Sequence, residues 1–152
     1  YRYYANKREL HLAALKHAAG EIKDNWERIA AEEPDPLNAL LRIGQWYHQE
    51  LRDHPEYLQL RFRSMTETAD PEVVQFTRDA YVELARFVET IIVRAKEQGR
   101  FGAAADTRAI TWLFMAIGAV LDVTELLGLQ DELGPRELAG LGRTVLVGGL
   151  QP

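Results

Sequence analysis

The chain has 152 residues, 47% of them hydrophobic, a formal charge of −5 and no cysteine. That length and apolar content support one domain with a real core and argue against disorder. The missing cysteines exclude disulfides, thiol sensors and Cys-based metal sites, and they fit a reducing, cytoplasmic setting.

The first element opens at Asn6. Its side chain can cap a helix, with Glu9 placed to reach back to the Asn6 N–H as in a variant capping box. Apolar positions then run Leu10, Ala14, His17, Ala18, Ile22, Trp26, Ile29 and Ala30, with Gly20 a possible bend. Glu33-Pro34-Asp35-Pro36 stops this helix and starts the next, Asp35 as cap and Pro36 at the first helical position. Leu37, Leu40, Leu41, Gly44, Tyr47, His48 and Leu51 follow at helical spacing. His54-Pro55-Glu56 begins a shorter helix through Leu58, Leu60, Phe62 and Met65.

Asp70-Pro71-Glu72 starts the clearest amphipathic helix, with Val73, Phe76, Ala80, Leu84, Phe87, Val88, Ile91 and Ala95 on one face and Gly99 and Gly102 at its end. Asp106 opens a helix apolar on nearly every side between Ala109 and Val123. Thr111 and Asp122 interrupt it, so it reads as a core or interface helix and not as a membrane span. Full burial of such a helix in so small a chain calls for a partner. Gly134-Pro135 starts a last, glycine-weakened helix with Leu138, Leu141, Val145 and Leu146, which again calls for packing against a partner. No strand alternation competes with this pattern. The expected fold is all-α, a bundle of about six helices.

Chemistry-bearing motifs are absent: no phosphate loop, nucleophile elbow, His-Glu-x-x-His or EF-hand. No catalytic, metal or cofactor residues are therefore expected, and the chain does not read as an enzyme. His17 reads as a packed histidine on an apolar face, and His54 as serving a helix start. Tyr47, Met65, Tyr81, Phe87, Trp112 and Met115 lie on successive helices and could line an apolar ligand site between them, with Arg61 as a polar anchor for an acidic group. The same residues also suit a plain core, and Arg61 a solvated charge.

The opening stretch, Tyr1-Arg2-Tyr3-Tyr4-Ala5-Asn6-Lys7-Arg8-Glu9-Leu10, combines tyrosines with basic residues in a first helical turn, where the helix dipole disfavours cations unless an anion docks. A frayed, solvated terminus is the alternative. The order of Tyr1, Tyr3, Tyr4, Lys7 and Leu10 resembles the end of the DNA-binding unit of TetR-family transcriptional repressors. In that family the recognition helix closes with an aromatic stretch, and Lys-x-x-Leu opens the fourth helix. Here Tyr4 stands where Phe is usual and Asn6 where Ser is frequent.

The resemblance implies an N-terminally truncated family member. Residues 1–20 would be the end of the helix-turn-helix unit and the start of a connecting helix, and residues 21–152 the effector-binding and dimerisation domain. It implies phosphate contacts from Tyr1, Tyr3 and Lys7, with Tyr4 and Leu10 packing. It also implies a two-helix-per-subunit dimer interface, for which Ile117, Gly118, Val120, Leu121, Leu141 and Val145 are the candidates. The implied partners are palindromic operator DNA, a small, largely apolar effector and a second copy of the chain, with no membrane. A helical protein–protein interaction or dimerisation module without a DNA role is the alternative from another class.

Overall fold

After the first helix, which Asn6 caps, every helix start among the described residues is written by an aspartate or a proline. A computed structural model describes residues 5–144, with the backbone alone at Pro135, and contains six helices among them. They are α1 (Lys7–Glu32), α2 (Pro36–Asp53), α3 (Pro55–Thr66), α4 (Pro71–Glu97), α5 (Thr107–Leu127) and α6 (Pro135–Arg143). Proline opens α2, α3, α4 and α6. Asp35, Asp70 and Asp106 each accept two backbone N–H groups of the following turn, satisfying donors that a helix start leaves free. No strand occurs among the described residues.

At α1 the cap differs from expectation in one detail. Asn6 accepts from the Glu9 N–H at 3.0 Å, but the Glu9 carboxylate takes the Ala5 N–H at 2.9 Å, one residue further out than a capping box requires. The helix runs unbroken through Gly20. Its buried face is Leu12, Leu15, Ala18, Ile22, Trp26, Ile29 and Ala30. His17 is exposed and Leu10 is 38% exposed, so the inner face is rotated from the one expected around Leu10, Ala14 and His17. Leucines on both faces left the first turns ambiguous. Contact with Val73, Leu60 and Phe76 selects Leu12 and Leu15.

α2 touches every other helix, and Ala39, Leu40 and Ile43 are wholly inaccessible to solvent. α4 buries Val73, Val88, Ile91 and Ala95 of the expected face together with Ala85 and Ile92, while Phe76, Ala80, Leu84 and Phe87 are only half-buried. Two left-handed glycines close helices: Gly99 after α4 (φ 71°) and Gly128 after α5 (φ 66°). At Gly128 the next residue, Leu129, donates back to the Thr124 carbonyl at 2.9 Å, a Schellman-type closure. Because an L side chain in this conformation costs about 1–2 kcal/mol, Gly128→Ala should lower unfolding free energy by about that much. A urea titration with an unchanged slope and a lower midpoint is the expected reading.

Candidate functional site

A cavity lies where α1 to α5 meet, with roughly 920 Å³ of atom-free space including the solvent at its mouth. α1 contributes Leu15, Ala18, Ile22 and Trp26, and α2 contributes Ile43, Gly44 and Tyr47. Arg61, Ser64 and Met65 come from α3, and Phe76, Thr77, Ala80, Tyr81 and Leu84 from α4. The fifth wall is Phe114, Met115, Ile117, Gly118, Ala119 and Leu121 of α5. A Cβ added at Gly118 would meet no atom within 4 Å, so the glycine faces open space.

Behind this wall sits one buried ionic cluster. Asp122 is 2% exposed. Tyr47 Oη donates to its Oδ1 at 2.5 Å, and the Arg61 guanidinium pairs with its Oδ2. Arg61 also donates to the Tyr47 hydroxyl, and its charge lies 5.2 Å from the centre of that ring. Burial pushes the Asp122 carboxyl up to about 6, against the pull of Arg61 in the other direction. Burial likewise raises Tyr81. On α2, the His48 imidazole is pulled down by burial, with Glu125 opposing.

Of the expected ligand-site residues, Tyr47, Arg61, Met65, Tyr81 and Met115 line the cavity. Phe87 does not; it packs against the main core further along α4. Trp112 does not line it either. It is 42% exposed and stacks on Tyr81 from outside, with ring centres 6.3 Å apart. Arg61 is half-buried and already paired with Asp122, so it is neither a solvated charge nor an idle anchor.

The expected interface residues divide. Ile117, Gly118 and Leu121 face inward onto the cavity. Val120 and Leu141 face outward at 40% and 46% exposure. Val145 lies outside the described residues, as do Tyr1, Tyr3 and Tyr4. Lys7 opens α1 and is exposed. Arg8, beside it, donates to Asp70 at 2.9 Å and to Glu72 at 2.7 Å, so the anion it meets belongs to the protein itself.

α5 is not buried all round, as its composition suggested. Trp112, Leu113, Ala116, Ala119, Val120, Val123 and Leu127 form one exposed stripe at helical spacing. By length and apolarity α5 is long enough to cross a membrane, and a third of that window (33%) is buried in the protein. Two site residues carry little signal in the sequence. Asp122 reads there only as an interruption, although a lone acid in an apolar helix demands a buried cation or proton. Trp26 reads there as a core aromatic, and it lines the cavity. No protein-family model, curated protein or solved structure matches the chain.

A carboxyl whose pKa is raised on folding binds more protons in the folded than in the unfolded state. Its contribution to stability is therefore fullest below about pH 4 and falls as pH rises to about 6. Asp122→Asn should abolish that fall, so the wild-type urea midpoint minus that of the variant should decline as pH rises across this window and level off above it. Arg61→Met should move the fall to higher pH, because it removes the group that holds the carboxyl down.

Proposed function

We propose that this chain is the sensing and dimerising body of a TetR-like, ligand-responsive repressor. In this reading it acts in the cytoplasm, binds palindromic operator DNA as a homodimer, and is released when a small, largely apolar effector enters the cavity. The observation that carries the reading is the two-sidedness of α5. Its inner face (Phe114, Met115, Gly118 and Leu121) walls the cavity, while its outer face is an open apolar stripe. One helix thus joins a place for a ligand to a place for a partner.

A second copy of the chain suits the stripe. Trp112, Leu113, Val120 and Val123 supply apolar area, and Ala116 leaves room for close helix approach. Under two-fold symmetry the same stripe is covered on both subunits. Exposed Leu141 on α6 would extend the contact.

α1 supplies the lever. It carries Leu15, Ala18, Ile22 and Trp26 on the cavity wall and Lys7 in its first turn, all on one unbroken helix. An occupant that fits one tilt of α1 better than another shifts the population only by that difference in affinity. Tyr1, Tyr3 and Lys7 are the phosphate contacts of this reading.

Arg8 favours a second reading, a helical dimerisation module without a DNA role, because Asp70 and Glu72 withdraw its charge from any phosphate.

Light scattering at micromolar concentration should give twice the 17.3 kDa chain mass. Val120→Glu, which sets a charge in the stripe, should give the single-chain mass. A monomeric wild-type protein would reject the dimer, and a protein that stays in solution only with detergent would assign the stripe to lipid. In a protein that joins a helix-turn-helix unit to this chain, Lys7→Ala should weaken all operator variants about equally and reduce the salt slope by roughly one. If that protein binds no DNA, the interaction-module reading takes over.

A further inference from the structure

Trp26 lines the cavity and is only 5% exposed. Tyr47 and Phe114 meet its ring edge-on, with centroids 6.3 and 6.4 Å away. These contacts hold the indole plane and leave its Nε1–H without an acceptor in the protein. A buried donor left unpaired costs on the order of 1–3 kcal/mol, and natural interiors seldom leave one so. Indole nitrogen only donates. Its complement must therefore be an acceptor.

The cavity's other polar groups are mostly engaged within the protein. Arg61 is paired with Asp122, the Tyr47 hydroxyl proton goes to the same carboxylate, and the Ser64 and Thr77 hydroxyls donate to the Arg61 and Val73 carbonyls, while Tyr81 adds one more hydroxyl to the lining. An anionic ligand would set two acids on one guanidinium. An ammonium would sit beside that guanidinium. Leu15, Ile22, Phe76, Leu84 and Met115 around it offer apolar contact alone.

We infer that the cavity takes a neutral, largely apolar molecule with one carbonyl-type oxygen, which accepts a hydrogen bond from Trp26 Nε1–H. The inference rests on the reading of the cavity as a ligand site and adds the chemistry of its occupant.

Four probes separate the possibilities. 2-Acetylnaphthalene and 2-isopropylnaphthalene share a shape and differ in the carbonyl oxygen. 2-Naphthoate and 2-naphthylmethylammonium carry the two charges. By calorimetric titration the ketone should bind about three- to tenfold tighter than the hydrocarbon, the ratio one neutral hydrogen bond supplies, and both ions should bind more weakly. Trp26→Phe keeps an aromatic ring and deletes the donor, and should bring the ratio to about one without weakening the hydrocarbon. Gly118→Val reaches into the open space and should weaken both neutral probes together. In protein labelled at nitrogen, the Trp26 indole proton should move downfield with the ketone and not with the hydrocarbon. Equal affinity for the two neutral probes overturns the acceptor assignment and leaves the cavity reading standing. Tightest binding by naphthoate overturns it in favour of Arg61 as the anchor. Failure of all four to bind removes the cavity as a ligand site, and the inference with it.

Discussion

The need of one carboxylate for partners sets the rotation of α5, and much else follows from that. Asp122 cannot lie in an apolar interior alone, because an isolated buried charge is far more costly than any single apolar contact is worth. Arg61 of α3 and Tyr47 of α2 satisfy it, so α5 must present Asp122 toward those two helices. Thr111, three turns earlier, lies on the same side with its hydroxyl returned to the Thr107 carbonyl at 2.9 Å, and Thr124, buried on another side, returns its hydroxyl to the Val120 carbonyl at 2.8 Å. The apolar residues opposite are left facing out. α5 therefore buries Asp122 and two threonines beside Ile110, Met115 and Leu121, and exposes Trp112, Leu113, Val120 and Val123. An ion pair of this kind adds little net stability compared with an apolar filling, but it selects one arrangement strongly, since losing either partner strands the other.

The same cluster marks the polar edge of the cavity. α3 carries Arg61 beside Ser64 and Met65, and α2 carries Tyr47 beside Gly44 and Ile43. An unfilled space among packed helices forfeits dispersion contacts on every wall. Glycine at 118 keeps that space open where an alanine would both help the helix and begin to fill the gap. The trade is intelligible if another molecule supplies the missing contacts.

α1 is held in two separate places. Its second half belongs to the main core through Ile22, Trp26 and Ile29, and its first half to a small cluster of Leu12, Leu15 and Val73 with Leu60 and Phe76. Arg8 ties its first turn to Asp70, the residue that also caps α4. Leu15 and Phe76 line the cavity from that smaller cluster. The cavity thus borders both attachments, through Ile22 and Trp26 on one side and Leu15 and Phe76 on the other.

Local rules made the helical part of this legible in advance. Asp-Pro and His-Pro pairs, the apolar face of α4 and the glycine after it depend only on neighbours in the chain, and they placed the helix boundaries and the all-α class. From the sequence Asp122 reads only as a break in an apolar run, although a carboxylate there needs a buried partner. The partner's identity required the fold, because Arg61 lies 61 positions away in sequence. The rotation of α1 was undetermined for a similar reason: Leu10, Leu12 and Leu15 offer two competing faces, and only Val73 and Phe76 arriving from α4 decide between them. Tyr47, Met65, Tyr81 and Met115 were readable as cavity candidates from spacing and residue type. Trp112 and Phe87 share that spacing and type and lie elsewhere, because which aromatic faces a gap depends on helix rotation, and rotation is a property of the packed bundle. Composition and periodicity thus marked α5 as apolar on nearly every side, and among the described residues one side of it stays exposed. Tertiary packing alone decided which side of it stayed uncovered, through the buried demand of a single charge.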